Sequence, residues 1–202
     1  MKIKAVQWNI GGGKIRRSGD DPDDPLSYSF DALDAIIETL CKYNPDIVTL
    51  QECHSNETLN QVERIAKALK LPYWVSDVYD ESHLEKGWNL TQGVISRLPL
   101  SNHQFELFLN PKLETMGPRG ERWTSHDKGV TSCVMDLPGV KVEVKTSHSL
   151  PFRKFHTDPL SKECALLRND MEEKLMPKEG TLLFQGDLNY DERSVGDFLS
   201  KI

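Results

Sequence analysis

Thr181-Leu182-Leu183-Phe184-Gln185-Gly186-Asp187-Leu188-Asn189 decides how this chain is read. An apolar run of strand character meets a glycine, and an Asp and an Asn follow two residues apart. A buried strand ending there releases both polar side chains into a loop. Strand side chains repeat with period two, so Asp187 and Asn189 can face one phosphate or one metal ion. The same kind of ending recurs. Trp8-Asn9 closes the run that starts at Ile3, Gln51-Glu52 closes 46–50, and Ser147-His148-Ser149 closes 140–147. Four apolar runs that each finish in phosphate- or metal-handling residues indicate one site at one edge of a sheet.

Between these runs the periodicity changes to that of helices. After a polar loop at 16–25, a helix capped by Ser27 or Ser29 carries Phe30, Leu33, Ile36, Ile37 and Leu40 on one stripe, with Asp31 and Asp34 in its first turns. Asn44-Pro45 stops it. A second helix spans about 57–69, a third 160–175 with Cys164, Leu167, Met171 and Leu175 on one face, and a last one begins at Ser194. Strands are expected at 73–78, 93–96, 105–109, 129–137 and 140–147. Pro138-Gly139 forms a hairpin turn between the last two. The stretches 80–91 and 111–127 read as loops.

The bulk properties set limits. A chain of 202 residues holds one sizeable core, so 1–202 is read as a single domain. Its net charge of -6 gives no general attraction to nucleic acid, which rests on clustered Lys and Arg. The 4 cysteines are scattered with no paired spacing, which argues against a zinc site and fits a reducing compartment. The N-terminus is already a strand pattern rather than a leader, and no apolar run is long enough to span a membrane. These features lead us to expect a cytoplasmic protein. Gly11-Gly12-Gly13-Lys14 is no P-loop, because Ile15 stands where Ser or Thr is required.

Val6-Gln7-Trp8-Asn9-Ile10, 46–52, Gly93-Val94-Ile95-Ser96-Arg97-Leu98-Pro99, Thr146-Ser147-His148-Ser149 and Gly186-Asp187-Leu188-Asn189 together resemble the endonuclease/exonuclease/phosphatase superfamily, the deoxyribonuclease I-like fold. They stand in that family's order and cover nearly the whole chain. The resemblance implies a four-layer α/β/β/α sandwich. It also implies a Mg²⁺-dependent phosphoester hydrolase (a nuclease, phosphodiesterase or phosphatase), with Mn²⁺ as an alternative ion and a phosphoester, nucleic acid included, as substrate. Glu52 is the expected metal ligand, since Mg²⁺ takes one or two carboxylates plus substrate oxygens and waters. Asn9 assists it, either by orienting Glu52 or through its own amide oxygen. Asp187 and Asn189 position phosphate and attacking water, and His148 donates to a phosphoryl oxygen. Arg153 and Lys154, interleaved with Phe152 and Phe155, could hold a phosphate and stack a base.

One family motif is missing. A closing Ser-Asp-His segment, source of the general base, would lie beyond Ile202. We therefore expect a C-terminally incomplete sandwich, finished by a continuing segment or a partner chain that supplies the Asp-His pair. Were a chain ending at Ile202 active alone, His126 or His156 would have to be the base. Ser125-His126-Asp127 is the missing motif scrambled, and is assigned to a loop. The rival reading is a non-catalytic phosphate-binding or scaffold module of the same fold.

Overall fold

The computed structural model describes residues 2–21, 24–177 and 180–189. The chain opens with β1 (Ala5–Asn9) and pairs two short strands, β2 (Lys14–Ile15) and β3 (Phe30–Asp31). Next come α1 (Leu33–Tyr43), β4 (Ile47–Ser55), α2 (Gln61–Leu69), β5 (Tyr73–Glu81) and β6 (Asn89–Ser96). The second half holds β7 (Leu100–Leu107), a hairpin of β8 (Glu114–Met116) and β9 (Arg122–Thr124), then β10 (Gly129–Leu137), β11 (Val140–His148), α3 (Ala165–Leu175) and β12 (Thr181–Asp187).

Two four-stranded sheets result, in the orders β1-β4-β6-β5 and β12-β11-β10-β7. β1 runs parallel to β4 and β12 parallel to β11, while the other neighbours are antiparallel. Alternation along each strand makes the layers. Val48 and Leu50 of β4 pack under Leu33, Ile36 and Leu40 of α1 and under Val62, Ile65 and Ala66 of α2. Ile47 points the other way, into a second cluster with Val94, Cys133, Met135, Val142 and Val144 between the sheets. Leu167, Met171 and Leu175 of α3 cover the far face with Val130 and Phe152. The order of layers is α/β/β/α. Leu40, Leu50 and Ile65 are fully buried, and truncating any of them to Ala should cost about 2–5 kcal/mol.

Several boundaries differ from the sequence reading. α1 starts at Leu33 and not near Ser27 or Ser29. Its N-cap is Ala32, and the Asp31 carboxylate just ahead of it accepts the Leu33 N–H at 2.9 Å. Phe30 accordingly leaves the helical stripe, lies in β3, and stacks under the Arg17 guanidinium. α2 begins at Gln61, where Asn60 accepts from the N–H groups of Val62 and Glu63. α3 begins at Ala165 rather than 160, and 111–127 holds the β8–β9 hairpin rather than loop alone. β4 does not stop at Leu50 but continues to Ser55. The helix expected from Ser194 lies outside the described residues.

A buried lysine needs a physical reason. Lys145 lies on the α3 side of β11, and its ammonium donates to the Lys174 carbonyl at 3.0 Å and to the Met176 carbonyl. It thereby satisfies the C-terminal carbonyls of α3, where the helix dipole favours a cation. All four cysteines are free thiols. No helix among the described residues is long and apolar enough to cross a membrane.

Candidate active site

The polar strand endings converge at one end of the gap between the sheets. Asn9 is the last residue of β1 and pairs in register with Gln51. Asp187 is the last of β12 and pairs with His148. His148 lies on the same face of β11 as Val142, Val144 and Thr146, the face that meets the first sheet. One rung further in, Gln51 Nε2 donates to Thr146 Oγ1 at 2.8 Å and ties sheet to sheet. Gly186 permits the close approach of β12 to β11, since a Cβ there would stand 2.5 Å from the Ser147 carbonyl oxygen.

Glu52 reaches this end by a device not visible in its immediate sequence. Register runs Leu50↔Gly93 and then Cys53↔Thr91, so β4 spends two residues where β6 spends one. This is a β-bulge, and Glu52 sits in it with a left-handed φ of 50°. The bulge shifts the alternation. Cys53, not Glu52, continues the Val48–Leu50 row beneath the helices. Glu52 instead meets the second sheet, with Oε1 3.6 Å from His148 Nε2 and 3.8 Å from Lys128 Nζ. It is thus presented by a kink inside a strand and not by a strand end.

Asp187 is held on both oxygens. Oδ2 accepts from Asn9 Nδ2 at 2.9 Å, and Oδ1 accepts the Asn189 N–H at 3.0 Å. Asn189, at φ 51°, donates its own amide to the Ser149 carbonyl at 2.9 Å. Asn9 Oδ1 accepts the Gly11 N–H, so Asn9 orients Asp187 rather than Glu52. His148 Nε2 lies 3.9 Å from Asp187 Oδ2, and Lys128 Nζ is 2.9 Å from His148 Nδ1. An ammonium can only donate, so Nδ1 is the acceptor and the proton of this imidazole sits on Nε2, facing the two carboxylates. Burial first, and then the Lys128 charge, hold His148 well below the usual histidine range. Desolvation pushes Lys128 down to about 8 against the pull of Glu52 and Asp187. Tyr79 completes the cluster, with its hydroxyl 3.5 Å from His148 Nδ1 and its ring 4.9 Å from the Lys128 ammonium. Burial and then the Glu52 charge raise its pKa well above the usual phenol value.

Tyr79 and Lys128 were not singled out from the sequence. Each adjoins an apolar run of ordinary pattern, and only strand pairing brings them to His148. His148 itself is buried at 2% exposure and is not at an open mouth.

Beside this cluster opens a cleft of about 380 Å³ with Asn9, Glu52, Lys14, His83 and Lys154 among its lining residues and Ile15, Pro25 and Tyr28 among its apolar ones. Its volume falls within the range of small-ligand clefts. Lys154 is one of its lining residues. Arg153 is exposed on the same single turn of 3-10 helix and does not line the cleft, and Phe152 is buried under α3 and cannot stack a base. Gly11–Gly13 is a 3-10 turn whose Gly12 packs on the His54 ring, and Lys14 pairs with Glu85 at 3.2 Å. Among the described residues no three His, Cys, Asp or Glu side chains gather as a metal cage. Mg²⁺ does not need one, and a single part-exposed carboxylate facing a cleft fits its habit.

No protein-family profile and no curated protein matches the chain. Solved structures do match. An endonuclease/exonuclease/phosphatase of Beutenbergia cavernae DSM 12333 superposes with a TM-score of 0.61 at 20% identity, over 93% of this chain and 47% of its own. An endonuclease/exonuclease/phosphatase family protein of Leptotrichia buccalis C-1013-b gives 0.60 at 12% identity, over 99% of this chain and 74% of its own. TDP2 of D. rerio complexed with a single strand DNA product gives 0.51 at 15% identity, over 97% and 64%. The fold is thus that of the endonuclease/exonuclease/phosphatase proteins, the deoxyribonuclease I-like sandwich. The chain spans about half the length of the Beutenbergia protein.

Proposed function

We propose that this chain carries a Mg²⁺-dependent phosphoester hydrolase, with Mn²⁺ able to replace Mg²⁺. The observation that carries the proposal is the grouping of two carboxylates around one imidazole N–H, His148 Nε2 lying 3.6 Å from Glu52 and 3.9 Å from Asp187. Glu52 would hold the metal ion, whose charge lowers the cost of negative charge growing on a phosphoryl group. His148 is kept neutral with its proton on Nε2, so it donates to a phosphoryl oxygen without carrying a charge of its own into the site. Asp187, fixed by Asn9 and Asn189, orients the attacking water. Lys154 and Lys14 draw the ester into the cleft, and Tyr28 and Pro25 meet its organic part. The acidic net charge favours a small phosphoester, or the end of a nucleic acid strand, over the length of a duplex. We place the protein in the cytoplasm on its scattered free thiols.

The test is a panel of DNA, RNA, nucleotide, inositol and lipid phosphoesters assayed with and without Mg²⁺, paired with calorimetric titration of Mg²⁺ into wild type and Glu52→Gln. We expect turnover of at least one ester only with metal, and much weaker Mg²⁺ binding in the variant. Ester binding without turnover would support the scaffold reading instead, and unchanged Mg²⁺ binding in Glu52→Gln would remove Glu52 as the ligand.

A further inference from the structure

Glu52 meets His148 and Lys128 across the gap between the two sheets, so their separations depend on what holds the sheets together just beneath them. Deep in the gap the filling is apolar, with Ile47, Val94, Cys133 and Val144 among it. One rung nearer the site it turns polar. Two residues along the same strands stand Thr49, Gln92, Thr131 and Thr146, all fully buried.

Gln92 holds the central place in that rung. It is the β6 residue opposite the bulge, since the register passes from Leu50↔Gly93 to Cys53↔Thr91. Its Nε2 lies 3.0 Å from Thr131 Oγ1, 3.2 Å from the Gly129 carbonyl oxygen and 3.4 Å from the Thr146 carbonyl oxygen. Gly129 adjoins Lys128, and Thr146 stands one rung from His148 on the same face of β11. One amide of the first sheet thus grips, in the second, the backbone that carries both partners of Glu52. Its orientation is forced, because the amide turned over would set an oxygen against two carbonyl oxygens. The Thr131 hydroxyl donates to Asp77 Oδ2 at 2.6 Å, so towards Gln92 it can only accept. Thr146 is gripped from a second side, its Oγ1 accepting from Gln51 Nε2. The other end of the Gln92 amide is left over. Its Oε1 is buried with no hydrogen-bond partner among the described residues, a condition that works against folding.

We propose that Gln92 is a positioning residue whose amide sets the spacing of Glu52 from His148 and Lys128. This rests on the phosphoester-hydrolase reading above. Gln92 does not line the cleft and acts only through the residues it holds. A metal ion at Glu52 and a hydrogen bond from His148 Nε2 serve the same phosphoryl group only at a fixed separation. Gln92→Met separates this role from a structural one. It keeps the side-chain volume, removes the unpaired oxygen and leaves no donor without an acceptor, so the fold should tolerate it.

The experiment compares full-chain wild type with Gln92→Met in Mg²⁺, with bis(p-nitrophenyl) phosphate as probe, and reads kcat, KM, the urea midpoint and the crystal structure of each. The variant should unfold at a urea concentration close to that of wild type. Its kcat should fall about 10²-fold with KM little changed, the loss expected of reacting groups misplaced by about 1 Å. Glu52 Oε1 should lie farther from His148 Nε2 than in wild type. A folded variant that keeps the wild-type kcat, or keeps that separation, overturns the proposal. So does a variant that does not fold, or one whose midpoint and kcat fall together, since Gln92 would then be structural. A wild type with no Mg²⁺-dependent turnover removes the hydrolase reading alone, because the variant's crystal structure still decides whether Gln92 sets the spacing.

Discussion

Asn9 and Asp187, 178 residues apart, are joined by one hydrogen bond of 2.9 Å from amide nitrogen to carboxylate oxygen. Asn9 ends an edge strand of the first sheet, and Asp187 ends the edge strand of the second among the described residues. The bond therefore fixes the angle of a carboxylate by tying two sheets together at the end where His148 and Glu52 also meet.

Asn9→Ala should harm turnover far more than folding. The lost bond is worth about 1 kcal/mol of stability, whereas a reacting group misplaced by about 1 Å can lose about 10²-fold in rate. Parallel measurements of kcat and urea midpoint check this. A variant with normal kcat would show that Asp187 needs no such tether.

The bulge at Glu52 predicts an inverted order of stabilities. A left-handed φ costs a side-chain-bearing residue about 1–2 kcal/mol and costs glycine almost nothing. Glu52→Gly should therefore be about 1 kcal/mol more stable than Glu52→Ala in chemical denaturation, though both lack the carboxylate. Equal stabilities, or Ala above Gly, would contradict the strained backbone.

Lys128 gives a pH dependence of defined sign. Its folded pKa of about 8 lies below the 10.5 of a free lysine. Between those values the unfolded chain binds a proton that the folded chain has released, so stability rises with pH through that window. The full penalty, roughly 3 kcal/mol at 1.36 kcal/mol per unit, is present below pH 8 and gone above 10.5. Lys128→Met should lack this rise in metal-free buffer and should be the more stable protein at pH 7, at the expense of turnover. Urea titrations from pH 7 to 10.5 decide it, and parallel curves for the two proteins would refute the assignment.

Elements set by local chemistry were legible in the sequence. Pro138-Gly139 makes the β10–β11 turn, where Leu137 pairs with Val140 and Gly139 adopts φ 83°. Asn44 ends α1 in the left-handed region ahead of Pro45. Asp187 ends β12 as the apolar run suggests, but Asn189 lies beyond the strand at φ 51° and is placed by its bonds to Asp187 and Ser149 rather than by strand alternation. What depends on partners was hidden. The bulge at Glu52 is defined by β6, and the α1 start by Asp31 folding back onto Leu33. Lys128 and Tyr79 become neighbours of His148 only after β5, β10 and β11 assemble. Burial of Phe152 beneath α3 likewise separates Lys154, which lines the cleft, from Arg153, which does not.

The most direct test of the hydrolase reading compares phosphodiester turnover by wild type and Asp187→Ala, each with Mg²⁺ and with chelator. Asp187 is part-exposed, so its truncation leaves no large cavity and the fold should survive. We predict turnover in wild type only when Mg²⁺ is present, and a loss of at least about 10²-fold in Asp187→Ala with a nearly unchanged melting midpoint. Turnover that persists in chelator, or a folded Asp187→Ala that hydrolyses the ester at the wild-type rate, would contradict it.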